Sequence, residues 1–167
     1  VNVPIEVPPK EGETDSTEGE VTLVVRTYDG EHDSQKNKVA MFRGARHVVK
    51  YRQYGHVARA IGQEFHALLL AGRARHPFDV DDNIPEEDKI VEDFFRKAEP
   101  RAHDTWEAEL GKLQNNYPGG HKEIERLFKD KIPNALTELL PDEGRDEDEM
   151  LENVGGHFRN FSGGPSR

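Results

Sequence analysis

The chain has 167 residues, 34% of them hydrophobic and 34% charged, with a mean hydropathy of -0.88 and a formal charge of -10. That bounds it at about one domain whose core is small relative to its solvated surface. It has no cysteine, so disulfides and thiolate metal sites are excluded, and its longest apolar run, Ala67 to Ala71, is too short for a membrane span or a signal-peptide core. A cytoplasmic location is the expectation.

In chain order, residues 1–20 carry Pro4, Pro8 and Pro9 and then an acidic Gly/Thr/Ser run, which reads as an acidic linker. Val21 to Tyr28 is short and rich in β-branched residues, as a strand requires. Asp29 to Asn37 is a polar loop with a turn signal at Asp29-Gly30. Val39 to Phe42 resumes apolar character, and His47 to Tyr54 reads as a second main strand. Regular alternation there puts Val49 and Tyr51 on one face and Val48, Lys50 and Arg52 on the other. Phe65 to Ala71, closed by Gly72, is brief enough to be a third strand.

Beyond Pro77 the apolar period lengthens to that of a helix. Pro85 and the acids Glu86, Glu87 and Asp88 suit a helix start, and Ile90, Val91, Phe94, Phe95 and Ala98 form its inward stripe. Pro100 marks the expected start of a second helix through Trp106, Leu110 and Leu113. A third, after the terminator at residues 115–120, carries Ile124, Leu127, Phe128, Ile132, Leu136 and Leu139, and Pro133 must kink or restart it. Strands followed by helices imply an α+β fold: a small antiparallel sheet of about three strands with three helices on one face, residues 21–140. Residues 141–167 are acidic and then Gly/Ser-rich, as in a flexible tail. The linker-like ends and the start at Val1 lead us to expect a segment of a longer polypeptide.

Charge reverses in the middle of the chain. From Lys36 to His76 nine basic residues (Lys36, Lys38, Arg43, Arg46, Lys50, Arg52, Arg59, Arg73 and Arg75) accompany one acid, Glu64. Guanidinium and ammonium groups on a strand and its flanking loops suit phosphate or nucleic acid, and Arg43, Arg46, Lys50 and Arg52 are the candidate contacts. A solvated sheet face balanced by acidic helices is the competing reading, which the net acidity favours. His47, His56, His66 and His76 lack the helical i, i+4 spacing of a zinc pair. The His32-Asp33 and His103-Asp104 dipeptides leave a metal-dependent phosphohydrolase as a third alternative. No phosphate-binding glycine loop, nucleophile elbow or other complete catalytic motif is present.

The segments VAMFRGARHVVKY, FHALLLAG and AEPRAHDTW, in that order, resemble the region that follows the nucleotide-binding domain in large bacterial ATPases of the gyrase/heat-shock/MORC class (GHKL). The resemblance spans Val21 to Leu140. It implies a transducer that lends a basic side chain, with Lys50 or Arg46 the positions to examine, to the terminal phosphate of ATP held with magnesium by an upstream ATPase domain of the same polypeptide. It also implies association with DNA or with defence against phage. The helical Glu/Asn pair and the ATP-lid motifs of that class are missing, so the chain alone is not expected to hydrolyse ATP. The reading that follows is a non-catalytic transducer or interaction module of a larger protein, with a stand-alone nucleic-acid-binding module as the alternative.

Overall fold

A computed structural model describes residues 1–30, 33–44, 47–76 and 84–140. Five strands, β1 (Asn2–Val7), β2 (Thr17–Thr27), β3 (Lys38–Arg43), β4 (His47–Gln53) and β5 (Phe65–Ala71), form one sheet in the order β1-β2-β5-β3-β4. The fold is α+β as expected, but the sheet has more strands than the three anticipated, and it is mixed. β5 pairs antiparallel with β2 and parallel with β3. The cause is helix α1 (Gly55–Ile61), in a stretch to which the sequence reading assigned no element. It carries the chain from β4 across to the other side of β3, whereas a tight turn would have continued an antiparallel meander.

The linker expected over residues 1–20 is also corrected. Asn2 to Val7 alternates strictly, burying Val3, Ile5 and Val7, and pairs with β2 in register from Asn2↔Thr22 to Val7↔Thr17. Two alternating positions hold Pro4 and Glu6, whose polarity and missing N–H hid the pattern. Proline is tolerated here because β1 is an edge strand.

One face of the sheet carries the core. Val21, Leu23, Val39, Met41, Phe65, Ala67 and Leu69 are all buried on it beneath α2 (Glu86–Lys97), α3 (Gly111–Asn116), α4 (Gly120–Arg126) and α5 (Ile132–Leu139). α2 buries Val91, Phe94, Phe95 and the following Ala98. At Gly19 of β2 an added Cβ would lie 2.5 Å from Val91 Cγ2, so the closest approach of helix to sheet needs a residue without a side chain.

The second expected helix does not begin at Pro100; helix resumes only at Gly111. His103 takes a left-handed φ of 55°, and tertiary hydrogen bonds rather than a helical ladder hold the intervening segment. Its Trp106 is nonetheless buried, 4.3 Å from the Phe95 ring and stacked 6.3 Å from Phe128. The third helix runs unbroken from Gly120 to Leu139 through a π turn at Leu127–Lys131. That wider turn delivers Pro133 to the second position of α5, where its missing N–H is absorbed without a restart.

Candidate interaction face

Cross-strand register fixes what lies on the uncovered face of the sheet. Partners across a ladder share a face, so Val24, Leu68, Ala40 and Tyr51 form one row across β2, β5, β3 and β4. Thr22, Leu70, Phe42 and Val48 form the next row. Val24 and Leu68, cross-strand neighbours, and Tyr51, one strand beyond the buried Ala40, are 46%, 41% and 47% exposed, apolar side chains where a sheet face open to water would carry polar ones.

A bulge decides which basic residues reach this face. β3 and β4 pair Met41 with Lys50 but Phe42 with Val48, so Val49 is an extra residue. Lys50 and Arg52 therefore share the helix-bearing side with Met41 and Val39, while Val48 and Tyr51 face the open side. The regular alternation expected from sequence, with Val49 and Tyr51 together, is corrected accordingly: Val49 is buried and Tyr51 exposed.

Each of the three described candidate phosphate contacts has a partner within the fold. Arg43 grips Glu99 with Nε and, at 2.8 Å, with Nη2, and its Nη1 lies 3.3 Å from Glu92. Lys50 is exposed, its ammonium 3.1 Å from Thr105 Oγ1. Arg52 lays its guanidinium over the Phe128 ring at 4.5 Å. Arg46 lies outside the described residues, as do residues 141–167. Other cations of the basic stretch are also paired, Lys36 with Glu64 at 2.8 Å and Arg75 with Asp88 at 2.7 Å.

Glu99 is the residue that sequence reading missed. Its buried carboxylate accepts from Arg43, from His103 Nδ1 at 2.9 Å and from Trp106 Nε1 at 3.1 Å. Burial alone would raise its carboxyl, yet the bonds from Arg43, His103 and Trp106 hold it below the usual carboxylate range. Glu92 accepts the main-chain N–H of Gly44 at 3.2 Å and of Arg73 at 3.1 Å. Segments VAMFRGARHVVKY and AEPRAHDTW thus meet at Arg43–Glu99 and at Lys50–Thr105, and the end of FHALLLAG is joined to them through Glu92. The chemistry of this cluster is that of a clamp between strands and the 99–110 segment.

A cleft of about 630 Å³ lies between β1, β2, α2 and the long helix. Its cations are engaged as well: Arg75 with Glu20 and Asp88, Arg126 with Glu123, and Lys131 with Glu123 and the Pro4 carbonyl. Among the described residues no group of three or more His, Asp or Glu side chains is placed to hold a metal ion, and no helix is long and apolar enough to cross a membrane. No family model matches the chain, and no curated protein or solved structure matches it either.

Proposed function

We propose that this chain is a non-catalytic interaction module of a larger protein, a transducer that meets an ATP-binding part of the same polypeptide through its uncovered sheet face. The observation that carries the reading is the apolar row Val24, Leu68 and Tyr51, about half exposed in a sheet whose other face carries the core. Burying such a row against another domain removes apolar area from water, the main favourable term in association. Engagement of Arg43 by Glu99 and Glu92 supports a structural role for that cation. Lys50, exposed beside Thr105 on edge strand β4, is the candidate cation for a nucleotide phosphate that reaches this edge from the side opposite the row.

Hydroxyl-radical footprinting tests this on the 167-residue chain and on the full product of its reading frame. Tyr51 and Leu68 should be labelled readily in the first and protected in the second, more so with ATP present. Equal labelling in both would overturn the docking role. Titrating the chain alone with ATP and with a short DNA duplex at two salt concentrations separates the alternative. DNA binding that weakens with salt and disappears in the Lys50→Glu, Arg52→Glu variant would make it a nucleic-acid-binding module instead.

A further inference from the structure

We propose that edge strand β4 accepts an acidic, extended segment of a partner protein as an added strand of the sheet. This rests on main-chain geometry and does not depend on the docking of the sheet face. Tyr54 N–H donates to the Asn37 carbonyl at 2.8 Å, which sets the phase of the β3–β4 ladder. Two residues back, Arg52 faces Val39 and Lys50 faces Met41 in hydrogen-bonded pairs, so the main-chain groups of Tyr51 and Gln53 point away from β3. Among the described residues they make no hydrogen bond. They form a short row of donors and acceptors of the kind an extended chain completes.

The sheet's other edge is treated differently. On β1, Pro4 has no N–H to offer, its carbonyl takes Lys131 Nζ at 2.7 Å, and Glu6 N–H is held by Glu123 Oε1 at 3.0 Å. Among the described residues, strand addition is blocked on that side and left open on β4.

Charge selects the occupant. From Arg43 through Gln63 the chain contains no acid, and His47, Lys50, Arg52, His56 and Arg59 line β4 and the helix that follows it. A hollow of about 470 Å³ bordered by Asn37, Gln53, Gly55, His56 and Arg59 continues the edge past the end of β4. An added strand would set alternate side chains beside Lys50 and Arg52, where carboxylates are favoured. The intervening ones would extend the row that ends at Tyr51, where apolar groups are favoured. The occupant is therefore a segment in which acidic and apolar residues alternate.

The probe is a blocked ten-residue peptide alternating Glu and Val, titrated into the ¹⁵N-labelled 167-residue chain at low and moderate salt. Expected are perturbations centred on the amides of Tyr51 and Gln53, weakening with salt, and no binding by the Lys/Val counterpart. Lys50→Glu with Arg52→Glu should invert that preference. N-methylation of the peptide's valines, whose N–H groups face β4 in antiparallel addition, should weaken binding about tenfold or more, the loss of one or two backbone hydrogen bonds. If the glutamates are the sensitive positions, the strand adds in parallel and the proposal stands. Absence of binding by the Glu/Val peptide overturns it. So does binding that neither methylation affects, since that is charge attraction without a strand.

Discussion

The two edges of this sheet are built from opposite materials. β1 is acidic, contains a proline, and has its outer main-chain groups tied to Glu123 and Lys131 of the long helix. β4 is basic, is tied to Thr105 and to Phe128 through the side chains of Lys50 and Arg52, and has outer main-chain groups that no described residue occupies. The first edge is closed by the protein's own helix layer; the second is secured from beneath, with its rim free among the described residues. A strand can thus be rigidly held and still be available to a partner.

The largest expected effect comes from removing what supports the β4 side from beneath. Trp106→Ala should cost about 3–5 kcal/mol, the range for deleting a buried large aromatic, because the indole lies between the Phe95 and Phe128 rings. Urea unfolding measures it, and an unchanged midpoint would contradict the packing. Glu99→Gln should come next, at about 3 kcal/mol, since it leaves the Arg43 guanidinium without its carboxylate.

The same substitution has a signature in pH. The Glu99 carboxyl is held below the ordinary range in the folded chain. As pH falls below the unfolded value of about 4.3, the unfolded state binds a proton there that the folded state refuses. Stability contributed by Glu99 is therefore present above that pH and lost progressively as pH descends through the folded pKa. In Glu99→Gln the acid limb of stability against pH should be shallower. Limbs of equal slope would show that the carboxylate is not held by these bonds.

Closing and opening an edge can be reversed at Glu123. Glu123→Ala removes the acceptor of Glu6 N–H and a partner of Lys131, which should cost about 1–3 kcal/mol. The Glu6 amide should then exchange with solvent faster, while amides in β5, at the centre of the sheet, keep their protection relative to global stability. An unaltered Glu6 rate would mean that the β1 edge is protected by something other than this carboxylate.

What the sequence disclosed and what it withheld divide along a physical line. Local periodicity disclosed β2, β5 and α2, because each presents several apolar residues at its own repeat. The core around Phe94, Phe95, Trp106, Leu127 and Phe128 was legible for the same reason. β1 was missed because only Val3, Ile5 and Val7 carry the signal between Pro4 and Glu6. The face of Tyr51 was misread because one bulge residue, Val49, inverts the alternation, and a bulge has no composition of its own. Glu99 was invisible as a centre because its donors come from Arg43, far away in sequence, and from His103 and Trp106 in a segment without regular structure. Parallel pairing of β3 with β5 followed from α1, whose seven residues carry only Val57, Ala58 and Ile61 inward.

The smallest effect tests the uncovered face itself. Leu68 and Leu69 are neighbours on β5, chemically identical and on opposite sides of the sheet, one 41% exposed and the other fully buried. Leu69→Ala should cost about 2–5 kcal/mol, because it opens a cavity under Leu23 and Met41. Leu68→Thr should stay within about 0.5 kcal/mol, since Leu68 is 41% exposed, its neighbour Val24 is open to water and threonine still covers the small Ala40 beside it. If Leu68→Thr instead cost as much as Leu69→Ala, the face would be core to this domain, and the case for a docking surface would lose its footing.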